Sequence, residues 1–369
     1  MNETFASLFQ PFALRSGVEL KNRVLMAPMT NFASNEYGTV SEEELAYYKE
    51  RAGGVGAVIT ACTYVTRDGK GFHGEFAADT DEFIPSLRQL AETIQGEGAK
   101  AILQIFHAGR MAPPEELLDN QPVSASAVAP EREGAVTPRE LTAEEVENIV
   151  KAFGDATRRA IEAGYDGVEI HGANTYLIQQ FFSPHSNRRT DKWGERTAFP
   201  LAVVASVKAA VAAHAKGPFV VGYRLSPEER ENPGITMEDT LQLVDLLAGQ
   251  DLDYIHVSTQ DFWAGSMRDE DTRSRTLLIQ ERVGSRIPVI GVGSVHTPED
   301  AVKVLETGVP LVALGRELIM EPKWVQLVQE GRESEIRTTL SKQSKEELVI
   351  PNYLWGAIIN SPGWFPVVD

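Results

Sequence analysis

The sequence has very little cysteine: Cys62 is the only one among 369 residues. A disulfide within the chain is therefore excluded, and so are an iron–sulfur cluster or a zinc site held by several cysteines. Cys62 lies in the apolar segment Val58-Ile-Thr-Ala-Cys-Thr-Tyr64, where a place in the core is the simplest interpretation.

Positive charge is also scarce, with 35 Lys and Arg against 53 Asp and Glu, a formal net charge of −18 and a pI near 4.9. No basic patch offsets this balance, so we expect neither nucleic acid nor an anionic membrane as a partner. No apolar run reaches membrane-spanning length, and the N-terminal residues lack the basic and apolar regions of a secretory signal. These absences predict a cytoplasmic protein.

What the sequence does contain is a regular alternation of short apolar segments with amphipathic ones. The predicted strands span 22–28, 57–65, 101–107, 167–171, 219–225, 254–258, 287–292 and 311–314. Helices are predicted between them, for example over 142–163, where Thr142-Ala-Glu-Glu145 forms a capping box and Gly164 ends the helix. Alternation of this kind gives parallel strands with right-handed crossovers.

Eight such strands predict a closed (β/α)8 TIM barrel of the α/β class. The alternative, an open doubly wound sheet, is disfavoured because no G-x-G-x-x-G motif follows the first strand. We expect a single barrel domain over residues 1–330 and a C-terminal extension over 331–369 that packs on the barrel or on an interface. The extension carries the aromatic segments Tyr353-Leu-Trp-Gly-Ala and Pro362-Gly-Trp-Phe-Pro.

The functional side chains of such a barrel lie at the carboxyl ends of its strands. The residues predicted there are Pro28, Met29, Thr30, Ala61, Gln104, His107, His171, Asn174, Arg224, Gly293, Ser294, Gly315 and Arg316. The glycine-rich turns after the last two strands are typical of a phosphate site, in which backbone N–H groups bind the anion and Arg316 adds a bidentate contact.

The fourth strand ends in His171-Gly-Ala-Asn174-Thr-Tyr176, which places three different polar groups within six residues. Histidine can donate a hydrogen bond or titrate, asparagine can donate without titrating, and tyrosine can release a proton. The set suits a site that polarises a carbonyl group and protonates the neighbouring carbon. Taken alone, the motif is explained equally well by a core histidine and a turn asparagine.

Other chemistries fit the strand ends less well. No lysine stands at a clear strand end to form a Schiff base. Acidic residues do not cluster there, and Glu169 with His171 gives too few ligands for a metal, so we expect none. A phosphate-bearing organic cofactor that carries the chemistry fits better. The alternative, a sugar-phosphate enzyme without a cofactor, does not explain Arg224 and Gln104 together.

Six motifs stand out along the chain. They are Lys21-Asn-Arg-Val-Leu-Met-Ala-Pro-Met-Thr30, Gln104 with His107-Ala-Gly-Arg110, Asp166-Gly-Val-Glu-Ile-His171, Ser186-Asn-Arg-Arg-Thr-Asp191, Arg224-Leu-Ser226 and Gly315-Arg-Glu-Leu318. Together they resemble the Old Yellow Enzyme family of FMN-dependent ene-reductases, and its bacterial NADH-dependent flavin oxidoreductases in particular. The resemblance extends over residues 9–322, most of the chain.

The resemblance implies a tightly but non-covalently bound FMN, with NADH or NADPH as the hydride donor. Thr30 would reach the O4 edge of the flavin ring, where a hydrogen bond tunes the reduction potential. Ala61 and Gln104 would contact the pyrimidine edge, and the charge of Arg224 would stabilise the anionic reduced flavin. The positions along the ring would be Pro28, Met29 and Thr30. Those at the phosphate would be Gly293, Ser294, Gly315 and Arg316.

The resemblance also implies a ping-pong reaction on a small enone-type substrate. NAD(P)H would reduce FMN and leave, and the β-carbon of an α,β-unsaturated carbonyl or nitro compound would then accept the hydride. His171 and Asn174 would hold the substrate oxygen, and Tyr176 would protonate the α-carbon. Two alternatives remain open: a reductase of nitro compounds or nitrate esters, and a flavin-binding redox sensor with weak turnover. A homo-oligomer is compatible with the resemblance.

Three features depart from the family pattern. The segment 191–199 is shorter than the usual glycine-rich turn, and Phe32 stands where several members carry a tyrosine that contacts substrate. No arginine follows Arg337, so the C-terminal arginine that some members lend to a neighbouring subunit is missing from this sequence. A structural role in supporting a loop accounts for His107 and Arg110 as well as a catalytic role does. We assign no role to His73, His185, His214, His256 and His296.

Overall fold

Eight parallel strands close into a barrel. The structure, a computed structural model, describes residues 2–368. The barrel strands, β1 to β8, are Val24–Met26, Ala57–Ile59, Lys100–Phe106, Gly167–Gly172, Val220–Leu225, Tyr254–Val257, Val289–Val292 and Leu311–Leu314. Each strand pairs in parallel with the next, and β8 pairs with β1 to close the ring. The predicted (β/α)8 TIM barrel is confirmed, and the open doubly wound sheet is wrong.

Helices surround the barrel. The helices α1 to α11 are Glu42–Arg51, Ile84–Gly96, Ala143–Ala163, Leu177–Phe182, Ala198–His214, Met237–Ala248, Arg275–Val283, Pro298–Glu306, Arg316–Met320, Trp324–Glu330 and Asn352–Ile359. The predicted capping box at the start of α3 is present, and Gly164 ends that helix with a φ of +91°. Between residues 2 and 368, no helix combines the length and the apolar character needed to cross a membrane.

The second predicted strand, 57–65, is divided in the structure. β2 ends at Ile59, and Thr63–Tyr64 forms a separate short strand beside β3. The backbone N–H of Ala61 leaves the sheet and donates instead to the Tyr48 hydroxyl of α1 at 2.8 Å. That partner belongs to a helix and not to the strand, so the apolar pattern of the strand could not indicate the break.

The interior of the barrel is apolar at its amino end. Leu25, Ile59 and Ile102 belong to an inner cluster of buried side chains, separate from the larger one between strands and helices. A short antiparallel hairpin, Phe12–Ala13 with Glu19–Leu20, adds Leu20 to the inner cluster and covers that end. The polar side chains of the interior therefore lie toward the carboxyl end of the barrel.

The C-terminal extension packs against the barrel. Arg51 of α1 is fully buried and donates to the carbonyl oxygens of Leu348, at 2.6 Å, and Val349, at 3.3 Å. Leu354 and Ile358 of α11 join the main core cluster. The extension is held by buried contacts, and the division of the chain at residue 330 stays a prediction.

A buried carboxyl group begins α1. Glu44 is 0% exposed and completes a capping box with Ser41. Its Oε2 accepts hydrogen bonds from the Ser34 hydroxyl at 2.8 Å and from the Ser41 N–H at 3.2 Å. Burial outweighs these bonds and raises the pKa of Glu44 to about 7.

We expect Glu44→Gln to flatten the pH dependence of unfolding. Because the folded-state pKa lies above the ordinary value of 4.5, the stabilising contribution of the neutral carboxyl is lost as pH rises from about 4.5 through about 7. The amide keeps the acceptor and cannot ionise, so the variant should gain roughly 3 kcal/mol over the wild type above that range. Urea unfolding below and above it measures the gain. The exposed Glu42→Gln is the control, and an equal effect of Glu44→Gln at both pH values would contradict the expectation.

Candidate active site

A row of three polar side chains crosses the carboxyl half of the barrel. Parallel pairing sets His171 of β4 beside Arg224 of β5, and Arg224 beside His256 of β6. Directly paired residues of neighbouring strands point to the same face. None of the three is more than 8% exposed. We call these residues the upper row.

Both histidines of the upper row are neutral. Burial and the charge of Arg224 lower the pKa of His171 to about 3, and burial also lowers that of His256. His171 Nδ1 accepts a hydrogen bond from the Ala173 N–H at 3.2 Å. The ring proton is therefore on Nε2, and His171 presents an N–H donor to the site.

A second polar group lies in the layer below. Glu169 is completely buried, and three side chains hold its carboxylate. Gln104 Nε2 donates at 2.8 Å, the Tyr254 hydroxyl at 2.9 Å and His256 Nδ1 at 3.0 Å. Although burial opposes ionisation, the hydrogen bond from His256 and the charge of Arg224 lower the pKa of Glu169 to about 2. We call Glu169 and its three partners the carboxylate network.

The carboxylate network requires glycine at position 222, and it determines the orientation of the Gln104 side-chain amide. A Cβ atom at Gly222 would lie 2.1 Å from the ring of Tyr254, so only glycine lets this tyrosine reach Glu169. The amino group of Gln104 is committed to Glu169. Gln104 Oε1 is therefore the atom that remains to accept a hydrogen bond from a ligand.

Arg224 carries a buried donor without a partner. Its Nε is inaccessible to solvent, and no acceptor of the described chain lies within hydrogen-bond distance. Buried polar groups are normally satisfied by protein, ordered water, an ion or a ligand. Arg23, Arg51 and Arg110 also carry a buried Nε without a partner, but of these four arginines Arg224 is the one that lines the cavity at the carboxyl end of the barrel. The position of Arg224 fits a ligand that presents an acceptor to the upper row.

A cavity of about 400 Å³ extends from Arg224 to the turns after β7 and β8. The turn after β7 passes through Gly293 at φ +117° and Ser294 at φ +51°. A Cβ atom on Gly293 would lie 2.6 Å from the Thr259 carbonyl oxygen, so glycine is required there. α9 begins at Arg316, where N–H groups and the helix dipole favour an anion. The predicted cofactor residues that line this cavity are Met29, Arg224, Gly293, Ser294, Gly315 and Arg316.

The other predicted cofactor residues are placed differently. Both backbone groups of Ala61 are already used: its N–H donates to Tyr48, and its carbonyl accepts from the Thr60 hydroxyl at 2.9 Å. Thr30 lies within hydrogen-bond reach of Cys62, which is buried as predicted. Pro28 is buried directly after β1. Contacts of Thr30 and Ala61 with a flavin ring stay predictions.

Tyr176 stands over His171. Their rings are perpendicular with centroids 5.0 Å apart, and the ring of Phe106 lies 4.6 Å from Tyr176 and 5.6 Å from His171. Burial raises the pKa of Tyr176, so the phenol stays protonated at neutral pH. The turn that brings Tyr176 back passes through Asn174 and Thr175, both left-handed with φ of 55° and 69°. Left-handed conformations are uncommon for residues other than glycine and often occur at functional sites.

Asn174 faces a different space from His171 and Tyr176. Its Oδ1 accepts a hydrogen bond from the Ser258 hydroxyl at 2.8 Å, and its backbone N–H donates to Ser226 Oγ at 2.9 Å. It lines a second cavity, of about 790 Å³, between the loops after β5 and β6. The structure brings His171 and Tyr176 together. That His171 and Asn174 both donate hydrogen bonds to one substrate oxygen stays a prediction.

His107 and Arg110 support the loop that follows β3. His107 Nδ1 accepts a hydrogen bond from the Gly109 N–H at 3.0 Å. Arg110 donates to the carbonyl oxygens of Val128, at 3.0 Å, and Ala129, at 3.2 Å. These contacts give both residues a structural role in the long segment 108–141.

The sequence predicts Gln104 but not the rest of the carboxylate network. The predictions give His256 and Tyr254 no role and consider Glu169 only as a metal ligand. The available signal was the period of two in Glu169-Ile-His171 and Tyr254-Ile-His256, which places both ends of each triplet on one face of a strand. Across residues 2–368, no group of three or more His, Cys, Asp or Glu side chains is arranged to hold a metal ion.

The fold and the cavity together define a class of protein, the TIM barrels that bind a phosphate-bearing cofactor. The turns after the last two strands fit the phosphate, and the buried arginine fits the rest of the cofactor. The chain belongs to the NADH:flavin oxidoreductase / NADH oxidase family, whose sequence profile matches residues 7–335. The resemblance to the Old Yellow Enzyme family is confirmed. The protein is an NAD(P)H-dependent flavin oxidoreductase with FMN as its cofactor.

Known relatives and solved structures agree with this family. The chain is 53% identical over 374 residues to a probable NADH-dependent flavin oxidoreductase of Bacillus subtilis, and the match covers 100% of both chains. It is 45% identical to an NADH:acrylate oxidoreductase of Vibrio harveyi, of which it covers only 36%. The old yellow enzyme of Trypanosoma cruzi superimposes with a TM-score of 0.76 at 29% identity, over 89% of this chain and 93% of the other.

Proposed function

We propose that this oxidoreductase reduces the activated C=C bond of α,β-unsaturated carbonyl or nitro compounds in a ping-pong cycle with NAD(P)H. The observation that carries the proposal is the pairing of a neutral His171 with a protonated Tyr176, ring centroids 5.0 Å apart, beside the unpaired donor of Arg224. Bound FMN supplies the hydride that it has taken from NAD(P)H.

His171 polarises the substrate. Its Nε2–H donates to the carbonyl or nitro oxygen while Nδ1 stays engaged with the backbone. Because the lowered pKa of about 3 keeps His171 neutral, the ring stabilises negative charge on that oxygen as a neutral hydrogen-bond donor. For Asn174 to contribute to the same oxygen, as the sequence predicts, its side chain would have to turn from the second cavity and present Nδ2, because its Oδ1 is held by Ser258.

Tyr176 supplies the proton. The phenol is protonated because burial raises its pKa, and contacts with Phe106 and His171 fix the ring. Its O–H donates to the α-carbon as hydride arrives at the β-carbon. Tyr176 is only partly buried, so solvent returns the proton after each turnover.

The residues that line the cavity would hold the cofactor at its two ends. The guanidinium group of Arg224 would donate to an acceptor of the flavin ring, and Gln104 Oε1 would accept from a ring N–H. The phosphate would bind at the turns after β7 and β8, where backbone N–H groups and the start of α9 favour an anion.

Product analysis tests the proposed reaction. Incubation with cyclohexenone and either NADH or NADPH should yield cyclohexanone in the amount of nicotinamide oxidised under nitrogen. Oxidation of nicotinamide without a saturated product, for enones and nitroalkenes alike, would contradict it.

Arg224→Met should weaken FMN binding by roughly 10- to 150-fold, because hydrogen bonds to a charged group contribute about 1.5–3 kcal/mol. The quenching of FMN fluorescence during titration with apoprotein measures the change. Arg23→Met is the control, since Arg23 donates to the Pro310 carbonyl away from the cavity. An unchanged dissociation constant for Arg224→Met would remove this residue from the cofactor site.

A further inference from the structure

The C-terminal extension brings an aromatic side chain to the substrate side of the barrel. Tyr353 of α11 has its ring centroid 5.7 Å from that of Phe32 and 4.9 Å from that of His73. Phe32 lies 5.8 Å from Phe72, and Phe72 lies 6.2 Å from Tyr176. A continuous line of ring contacts therefore joins the extension to the proposed proton donor.

The backbone that carries Tyr353 is firmly placed. The N–H of Asn352 donates to Glu43 Oε2 at 3.1 Å, and the Asn352 side-chain amide donates to Oε1 of the same carboxylate. Leu354 and Ile358, which follow in α11, are 0% and 1% exposed. Tyr353 itself is 53% exposed, so a fixed helix presents a large ring to the mouth of the site.

Phe32 is held in an unfavourable backbone conformation. Its φ of 55° is left-handed, which is an outlier for a bulky side chain and costs about 1–3 kcal/mol. The neighbouring loop maintains it: the Ser34 N–H donates to the Gly74 carbonyl at 3.0 Å. A Cβ atom at Gly74 would lie 2.3 Å from the Phe32 carbonyl oxygen, so glycine allows this close approach. Strain of this kind is typical of a functional position.

The basic side chains beside these rings already have an acidic partner. Lys70 Nζ lies 2.6 Å from Glu116 Oε2, and His73 Nδ1 lies 3.3 Å from Glu116 Oε1. A substrate lying against these rings would meet ring faces and an ion pair that is already formed. Flat conjugated groups gain about 0.5–1.5 kcal/mol from offset or edge contacts with aromatic rings.

We propose that Phe32, Phe72 and Tyr353 form an aromatic wall that selects neutral, planar substrates in which the activated alkene is conjugated to an aryl group. Small unsaturated carboxylates such as acrylate and fumarate have no aryl group and therefore gain nothing from the wall. This selection rests on the proposed function. It makes Tyr353 a specificity residue contributed by the extension.

Tyr353→Ala tests the wall. For benzylideneacetone, an aryl enone, kcat/KM should fall by about 2- to 13-fold through KM, as expected from a contact of about 0.5–1.5 kcal/mol. For methyl vinyl ketone, which has no ring, it should stay unchanged. Tyr353→Phe should retain the wild-type preference, and the rate of reduction by NADH should not change. Tyr37→Ala, at a tyrosine that is 79% exposed, is the matched control.

Two kinetic results would overturn the wall: an equal loss of activity with both ketones, or a wild type that prefers acrylate to benzylideneacetone. Calorimetric titration of the oxidised holoprotein with benzylideneacetone separates the wall from the proposed reaction. Weaker binding by Tyr353→Ala supports the wall even if the enone is not reduced, whereas equal binding by both proteins overturns it.

Discussion

Replacing Tyr176 with Phe should slow alkene reduction by about 10²- to 10⁴-fold, the range that a positioned general acid contributes. The ring contacts with Phe106 and His171 remain in the variant, so only the hydroxyl is lost. Reduction by NADH requires no proton from Tyr176 and should keep its rate. Stopped-flow measurement of the two half-reactions separates the effects.

The role of Tyr176 also predicts a pH dependence and can be checked against a control variant. Because burial raises the pKa of the phenol, the wild-type alkene reduction rate should not fall as pH rises through neutrality. Tyr165→Phe is the matched control, since its hydroxyl is buried and has no partner within residues 2–368. Equal alkene reduction by Tyr176→Phe and wild type would assign the proton to another donor.

Replacing Glu169 with Leu should lower the free energy of unfolding by about 3–5 kcal/mol, because the buried charge of Arg224 would lose the carboxylate that compensates it. Three buried donors, from Gln104, Tyr254 and His256, would lose their acceptor together. Urea unfolding of the apoprotein measures the loss without the contribution of cofactor binding.

A surface carboxylate provides the comparison for Glu169. Glu162 pairs with Arg158 on α3 and is partly exposed, so Glu162→Leu should change stability by no more than about 0.5 kcal/mol. The conservative Glu169→Gln retains one acceptor and should fall between the two. A loss below about 1 kcal/mol for Glu169→Leu would show that the carboxylate network does not hold the barrel together.

The barrel could be predicted because its determinants are local. Each strand is a short apolar run, each helix has its own period and caps, and alternation leaves few topologies. The error at residues 57–65 has a non-local cause, the hydrogen bond from the Ala61 N–H to Tyr48. A partner on another element leaves no trace in the strand's own sequence.

The site was predicted only where strand ends determine it. His171 and Arg224 follow from the rule that barrel function lies at the carboxyl ends of strands, and parallel register places them side by side. The orientation of Asn174 depends on a left-handed turn and on Ser258 of another strand end. The placement of Tyr353 depends on contacts of the extension with α1, such as those of Arg51, nearly 300 residues away.

The oxidative half-reaction tests the proposed mechanism most directly. Protein reduced anaerobically with an equivalent of NADH is mixed with cyclohexenone, and the visible absorbance and the ketone product are followed together. We predict that the absorbance lost on reduction returns. One molecule of cyclohexanone should form for each molecule of cofactor that is reoxidised. Absorbance that returns only when oxygen is admitted, with every enone and nitroalkene tried, would contradict alkene reduction at His171 and Tyr176.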